Sequence, residues 1–319
     1  TKSNILAYQS FIQTRVLREN LLPFEKSAFA SIVEYGSRLC EDQNLLSTHF
    51  GDLKDLTIES HYLAKQAGVS KVRREHVEQA ISMRHYRVNL YEHELLNMFH
   101  QKQILISTKG QIIGQMNGLT VYDIGDYSFG RPARITCTVA VNDQGIINIE
   151  RDCKLSGHSH SKGVLILSSY LSALLAHEQA CGLSASICFE QSYGLIDGDS
   201  ASMVELLTMV SAMSGIAIQQ NVAMTGSLNQ LGEAQPIGGI NEKIEGLWRC
   251  WENMKEKTIC KVIIPKQNTS HLMLDKEVRK AIRAGKLEIY PVSYFWQAFE
   301  IATQCEFGAK SLDKKTYHP

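Results

Sequence analysis

Long apolar runs are missing from these 319 residues. A membrane-spanning helix needs about 20 consecutive apolar residues. The longest candidate, 163–176, is broken by serines and a tyrosine and reads as a buried helix. Charge of one sign is missing too, because 33 Lys and Arg balance 33 Asp and Glu. A chain without net charge has no global pull toward nucleic acid or an anionic membrane surface. No CxxC pair occurs among the eight cysteines, Cys40, Cys137, Cys153, Cys181, Cys188, Cys250, Cys260 and Cys305. Scattered among mostly apolar neighbours, they are expected to be reduced core thiols of a cytoplasmic protein. The polar start, Thr1-Lys2-Ser3, shows no signal-peptide pattern, and the lack of an initiator Met points to a fragment or a processed chain. What is present, 44% apolar and 21% charged residues, is a globular profile long enough for two domains of ordinary size.

Helical spacing dominates the first hundred residues. One helix is expected over 5–20, and Pro23 opens a second that runs to about 42. A third covers 53–67 with Gly68 as its stop, and a fourth starts near Arg73 with Val77, Ala80 and Ile81 on one face. A fifth covers 91–101. The texture changes after Gln103. A short β-prone run, 104–107, leads into extended segments punctuated by Gly110, Gly114 and Gly118. Alternation over 134–141 and a turn at Gln144-Gly145 before 146–149 continue the strand signal. Beyond it, helices are expected over 164–177, 201–214 (stopped by Gly215), 241–254, 276–283 and 294–303. Strands are expected over 185–189, 221–225, 261–264 and 287–291. The pattern predicts an α+β fold without regular βαβ repeats. A small all-α domain covers 1–103, a mixed domain covers 104–308, and a loose polar tail covers 309–319.

Two segments could carry chemistry. In Asp197-Gly198-Asp199-Ser200-Ala201-Ser202, a serine with small neighbours stands directly ahead of a helical pattern. Near a helix N-terminus the first backbone N–H groups lack intrahelical partners, so an oxyanion formed by attack of Ser200 on a carbonyl would meet donors there. Taken alone, the segment reads better as a structural helix cap. A nucleophilic serine needs a base. None of the eleven histidines has an acid partner nearby in sequence, and the His158/His160 pair reads as a loop rather than a metal site. Lysine is the other option, provided that burial lowers its pKa from about 10.4 toward neutrality. Lys243 follows Gly238-Gly239 in the first turn of an expected helix. Taken alone, it reads as a solvated helix lysine.

Together these segments resemble the Lon proteases. That family carries its serine in Asp-Gly-x-Ser-Ala and its lysine in Pro-Ile-Gly-Gly-x-x-Glu-Lys. Here Asp197 to Ala201 and Pro236 to Lys243 match both, at a separation that fits the family. Between them Met224-Thr225-Gly226-Ser227-Leu228 matches the family's Thr-Gly strand. Phe189-Glu190-Gln191-Ser192-Tyr193-Gly194, together with Asp199 where the A-type has proline, resembles the B-type and Lon-related branch. The resemblance covers about 110–305, and the helical domain before it looks like an AAA+ lid. It implies Ser200 as nucleophile, Lys243 as general base and Thr225 as the group that orients the lysine. Asp197 is implied as an orienting or gating acid, Asp199 as a supporting residue, and the Ser200 N–H as an oxyanion donor. It further implies unfolded polypeptide substrates and a hexameric ring.

The chain departs from complete relatives in having no GxxxxGK[ST] phosphate loop. His49 also stands where relatives often place a nucleotide-sensing arginine. ATP and Mg2+ are therefore expected only if an ATPase core lies upstream, and no cofactor is expected in this chain. Three other readings compete. One is an ATP-independent peptidase. Another is a catalytically silent ring-assembly domain. The last is a nucleic-acid-binding module built on Lys65, Lys71, Arg73 and Arg74, against which the zero net charge weighs.

Overall fold

The computed structural model describes residues 2–125, 127–141, 144–175, 183–254 and 257–308. The expected tail 309–319, Cys181, and the end of the expected helix at 176–177 lie outside the described residues. Two compact units are present. One runs to Glu94 and takes in Ser270–Met273, and the other starts at Leu95 and holds the remaining described residues.

The first unit is helical: α1 (Lys2–Arg18), α2 (Lys26–Arg38), α3 (Phe50–Gln66), α4 (Arg74–Val88) and the start of α5 (Leu90–His100). In α3, Leu53, Leu56, Leu63 and Ala64 are buried at helical spacing and pack with Ile32 and Val77. Gly68, at φ +68°, ends α3 as expected. Its N–H donates to Lys65 O at 3.1 Å and the Val69 N–H to Ala64 O at 3.2 Å, a pair of bonds that satisfies the last carbonyls. The second helix begins at Lys26 rather than at Pro23. The reason is that Pro23 O and Glu25 N bond Val72 at 2.9 Å each, which holds the preceding residues extended. Both arginines of the basic cluster are paired locally: Arg74 reaches both Glu34 oxygens at 2.9 and 3.0 Å, and Arg73 lies 3.5 Å from Glu25.

Among the described residues the strands of the second unit are β1 (Gln111–Ile112), β2 (Gln115–Ile124), β3 (Tyr127–Val141), β4 (Ile146–Asn148), β5 (Leu183–Phe189), β6 (Ile218–Gln219), β7 (Val222–Met224), β8 (Ser227–Leu228), β9 (Ala234–Gln235), β10 (Cys260–Pro265) and β11 (Leu287–Val292). Its helices are α6 (Ile149–Asp152), α7 (His158–Leu175), α8 (Ser202–Ser214), α9 (Ile240–Asn253), α10 (Lys276–Arg283) and α11 (Phe295–Thr303). Among the described residues seven strands form a mixed sheet in the order β11-β10-β7-β2-β3-β5-β4. The strands β2, β3 and β5 are antiparallel, whereas β7, β10 and β11 run parallel. This is an α+β architecture, as the pattern predicts.

The expected strand over 104–107 does not form. Its polar groups go to side chains instead, with Leu105 N on Gln191 Oε1 and Ser107 O on Asn117 Nδ2, both at 2.8 Å. Among the described residues seven cysteines are free thiols. Cys137, Cys250 and Cys260 are buried, but Cys153 and Cys305 are exposed, so the expectation of core thiols holds only in part. Those two exposed thiols follow the ends of α6 and α11, where the chain runs at the surface.

Helix α8 is buried on all sides from Ser202 to Ser211. Leu207, fully buried in it, packs in a core with Met116, Ile135 and Ile187. Leu207→Ala is expected to cost about 2–5 kcal/mol. A urea titration should show the midpoint falling at an unchanged slope.

Candidate active site

The segment before Ser200 is fixed first. Ile196 N donates to Leu155 O at 2.8 Å, and Gly157 N donates to Ile196 O at 2.7 Å. Asp197 comes next, its Oδ1 accepting the N–H groups of Ser159 (3.1 Å) and His160 (3.4 Å) in the first turn of α7. Asp199 Oδ2 accepts the Ser227 hydroxyl at 2.6 Å. The Ser200 carbonyl accepts Gly226 N at 2.8 Å and Thr225 Oγ1 at 3.1 Å. These bonds tie the turn to the residues that leave the C-terminal end of β7. The Ser200 side chain is left out of the frame. Its Oγ and its N–H have no hydrogen-bond partner among the described residues, and the residue is half-buried.

Helix α8 begins at Ser202, so Ser200 precedes the capping residue, Ala201. The first N–H groups of the helix are already used, Ser202 N on Asp199 O (3.0 Å) and Met203 N on Gly226 O (3.2 Å). The expectation that the helix start supplies the oxyanion donors is therefore corrected, and the Ser200 N–H remains as a donor. The Gly198 N–H, then those of His160 and Ser159 and the nearby His158, hold the Asp197 carboxyl below its ordinary range against an opposing desolvation. A depressed carboxyl contributes stability above its unfolded pKa, and that contribution is lost as pH falls through the folded value.

Lys243 lies in the first turn of α9, its N–H on Gly239 O at 3.0 Å. Its side chain is 4% exposed, so the reading of a solvated lysine is wrong. The cause is the close approach of α9 to β3. A Cβ on Gly130 would lie 2.1 Å from Glu242 O and 2.6 Å from Lys243 Cα, and one on Gly246 would lie 1.8 Å from Gly130 O. The register places this contact. Met224 of β7 pairs with Gly118 of β2, and three residues on Val121 pairs with Gly130. Lys243 thus sits about 10 Å farther along the strand direction than Met224, at the end where Thr225 and Gly226 hold Ser200. Helix α8 covers the face that carries Met116, Ala133 and Ile135. Helix α9 lies against Gly130 and Val121, which alternate to the other face. Both helices start where β7 stops.

Gly130→Val is expected to push α9 outward and lower any Lys243-dependent turnover by about 100-fold. It should also cost about 1–3 kcal/mol of stability. Steady-state rates beside thermal unfolding will separate the two effects.

The His158/His160 pair, expected in a loop, is the first turn of α7. Ser159 and His160 offer their N–H groups to Asp197, which starts the helix six residues before the apolar pattern does. No cluster of three or more potential metal ligands occurs among the described residues. His160 instead is buried against Glu205, Nε2 to Oε1 3.0 Å, a contact that sequence reasoning missed. The available signal was a lone acid in the apolar run of α8. Among the described residues no helix is long and apolar enough to cross a membrane.

Comparison with known proteins bears directly on this arrangement. The family described as "Lon protease (S16) C-terminal proteolytic domain" matches residues 194–304, which include the Ser200 turn and Lys243. "Archaeal LonB, AAA+ ATPase LID domain" matches 23–87, within the helical unit. The chain belongs to the Lon protease family. A putative Lon protease homolog of Escherichia coli (strain K12) is 41% identical over 214 residues, which is 66% of this chain and 36% of that protein. The archaeal Lon protease of Thermococcus kodakarensis is 32% identical over 301 residues, 92% of this chain and 44% of that protein. That of Archaeoglobus fulgidus is 29% identical over 297 residues, covering 91% and 44%. The chain spans less than half the length of these Lon relatives. It combines a lid of the LonB kind with a Lon protease domain.

Proposed function

We propose that this chain hydrolyses peptide bonds by acyl transfer, with Ser200 as nucleophile and Lys243 as general base. The observation that carries the reading is a half-buried serine, its hydroxyl without a partner among the described residues, pinned to the same end of the sheet at which a buried lysine is rooted. Burial favours the base role, because desolvation disfavours a charged amine. Neutral Lys243 takes the Ser200 proton as Oγ bonds to the substrate carbonyl carbon and the C=O electron pair moves onto oxygen. The Ser200 N–H, without a partner among the described residues, is assigned as the donor to that oxygen. The C–N bond then breaks, and the lysine returns the proton to the leaving amine. Water attacks the acyl-serine with the same lysine as its base, and Ser200 is regenerated.

The hydroxyl proton of Thr225 goes to the Ser200 carbonyl, so its oxygen can accept from the lysine and orient it. Asp197, bound by the start of α7, is an orienting or gating group and not a base. Asp199 braces the turn through Ser227. Tyr193, Leu195 and Leu231, between 71% and 85% exposed on segments flanking the turn, suit an unfolded chain that displays apolar residues. A hexameric ring, a cytoplasmic setting and coupling to ATP and Mg2+ through an accompanying ATPase core complete the proposal. The match to an AAA+ ATPase lid supports the coupling to ATP, and the ring and the setting are what the family resemblance implies.

The test is hydrolysis of unfolded casein by the purified chain, with and without ATP and Mg2+, beside a folded substrate. The reading expects cleavage of casein alone. Absence of cleavage together with absence of covalent capture at Ser200 would instead identify a silent assembly domain.

A further inference from the structure

His160 and Glu205 are 1% and 0% exposed, and neither enters the reaction just described. His160 Nδ1 lies 2.8 Å from Ser156 Oγ, and Asn148 Nδ2 lies 3.4 Å from Glu205 Oε1. Glu205 Oε2 is buried without a partner among the described residues. The pair joins two pieces that hold the Ser200 turn. On one side, the His160 N–H and the Ser156-Gly157 strip bind Asp197 and Ile196. Gly157 packs so tightly that a Cβ there would lie 2.4 Å from Asp197 Cγ. On the other side, Glu205 N donates to Ala201 O at 3.0 Å, one residue beyond Ser200.

We propose that His160 and Glu205 are positioning residues for the Ser200 turn, and that the imidazolium form of His160 sets the turn for attack. The proposal rests on the reading of Ser200 as nucleophile. In the imidazolium both ring nitrogens donate, Nε2 to Glu205 and Nδ1 to Ser156 Oγ. The Ser156 hydroxyl proton is then free for Ser161 Oγ (2.8 Å) or Gly157 O (3.3 Å). Loss of the ring proton makes Nδ1 an acceptor, so the Ser156 hydroxyl must reverse. Glu205 is then left buried without a counter-charge, a costly state.

Three carboxylates face the ring: Glu205 from α8, Glu150 from α6 and Asp197 from the turn. Phe189 of β5 packs its ring edge-on at 5.6 Å. Desolvation lowers the His160 pKa, but the hydrogen bond and charge of Glu205, with Glu150 and Asp197, outweigh it and leave the pKa raised. A raised histidine stabilises the folded turn fully below its unfolded value, about 6.5, and that contribution is lost as pH rises through the folded value.

Glu205→Gln keeps the shape and removes the charge. In the full chain, His160 followed by NMR should then titrate at lower pH, and the Gly226 amide, which donates to Ser200 O, should exchange faster. Capture of Ser200 by a fluorophosphonate should slow by about 100-fold, its alkaline limb moving down in pH with His160. A purely structural role would slow capture equally at every pH. If Glu205→Gln does not fold, Ser156→Ala carries the same readouts. The proposal is overturned if the His160 titration moves while Gly226 exchange and the pH profile of capture stay in place. Should the unaltered chain show no capture at Ser200, the nucleophile reading fails. Whether Gly226 exchange tracks His160 titration in that same chain still decides the positioning role.

Discussion

Ser200→Ala is expected to lower peptide hydrolysis by roughly 10⁴-fold or more, the scale seen when a serine nucleophile is removed from a hydrolase. The fold should be untouched. The Ser200 hydroxyl makes no bond to a described residue, so its removal orphans no donor or acceptor, and the carbonyl that Thr225 and Gly226 grip is main chain. Stability should therefore stay within about 0.5 kcal/mol of the parent. Asp199 offers the contrast, since its carboxylate accepts the Ser227 hydroxyl at 2.6 Å. Asp199→Ala should lose both stability and rate. Turnover of a fluorogenic peptide and thermal melts of both variants check this. A Ser200→Ala chain that retains turnover moves the nucleophile elsewhere.

Replacement of Lys243 is the second large effect. Arginine keeps a long cationic side chain but does not give up its proton at working pH. Methionine keeps much of the length and apolar stem and has no charge to bury. Both should lower hydrolysis by about 10²–10⁴-fold, the range of a lost general base. They should diverge in stability. Arginine must force a larger head into a site that is 4% exposed, against a helix already in backbone contact with Gly130, at a cost of about 1–3 kcal/mol. Methionine should cost less stability than arginine, because it keeps the stem without a larger head and has no amine to desolvate. Melting curves and kcat for the pair separate loss of the base from loss of the fold.

The features legible in the sequence were local ones. Gly68 and Gly215 ended their helices where expected, because a left-handed residue after the last turn is a short-range signal. The helix over 276–283 was equally plain, opened by Asp275, whose side chain caps Val278 N at 2.8 Å. The family was readable because its motifs are contiguous. Features that depend on distant partners were not legible. Strand β3 starts at Tyr127, seven residues before the visible alternation, because Gly130 to Ala133 are buried on both faces and leave no alternating pattern. The burial of Lys243 needs Gly130, more than a hundred residues away. The helical start at His158 and the pairing of His160 with Glu205 depend on Asp197 and on α8. In each case the deciding partner lies far away in the sequence, and a window of neighbouring residues carries no trace of it.

The central claim is that Ser200 is made nucleophilic by Lys243 at the end of β7. Covalent capture by a peptide boronate or fluorophosphonate, mapped by mass spectrometry, tests it most directly. The account predicts modification at Ser200 in the parent chain, at a rate that rises with pH from the acid side, and near-complete loss of capture in Lys243→Met. Modification at another residue, or capture of Ser200 at the parent rate without Lys243, would contradict it.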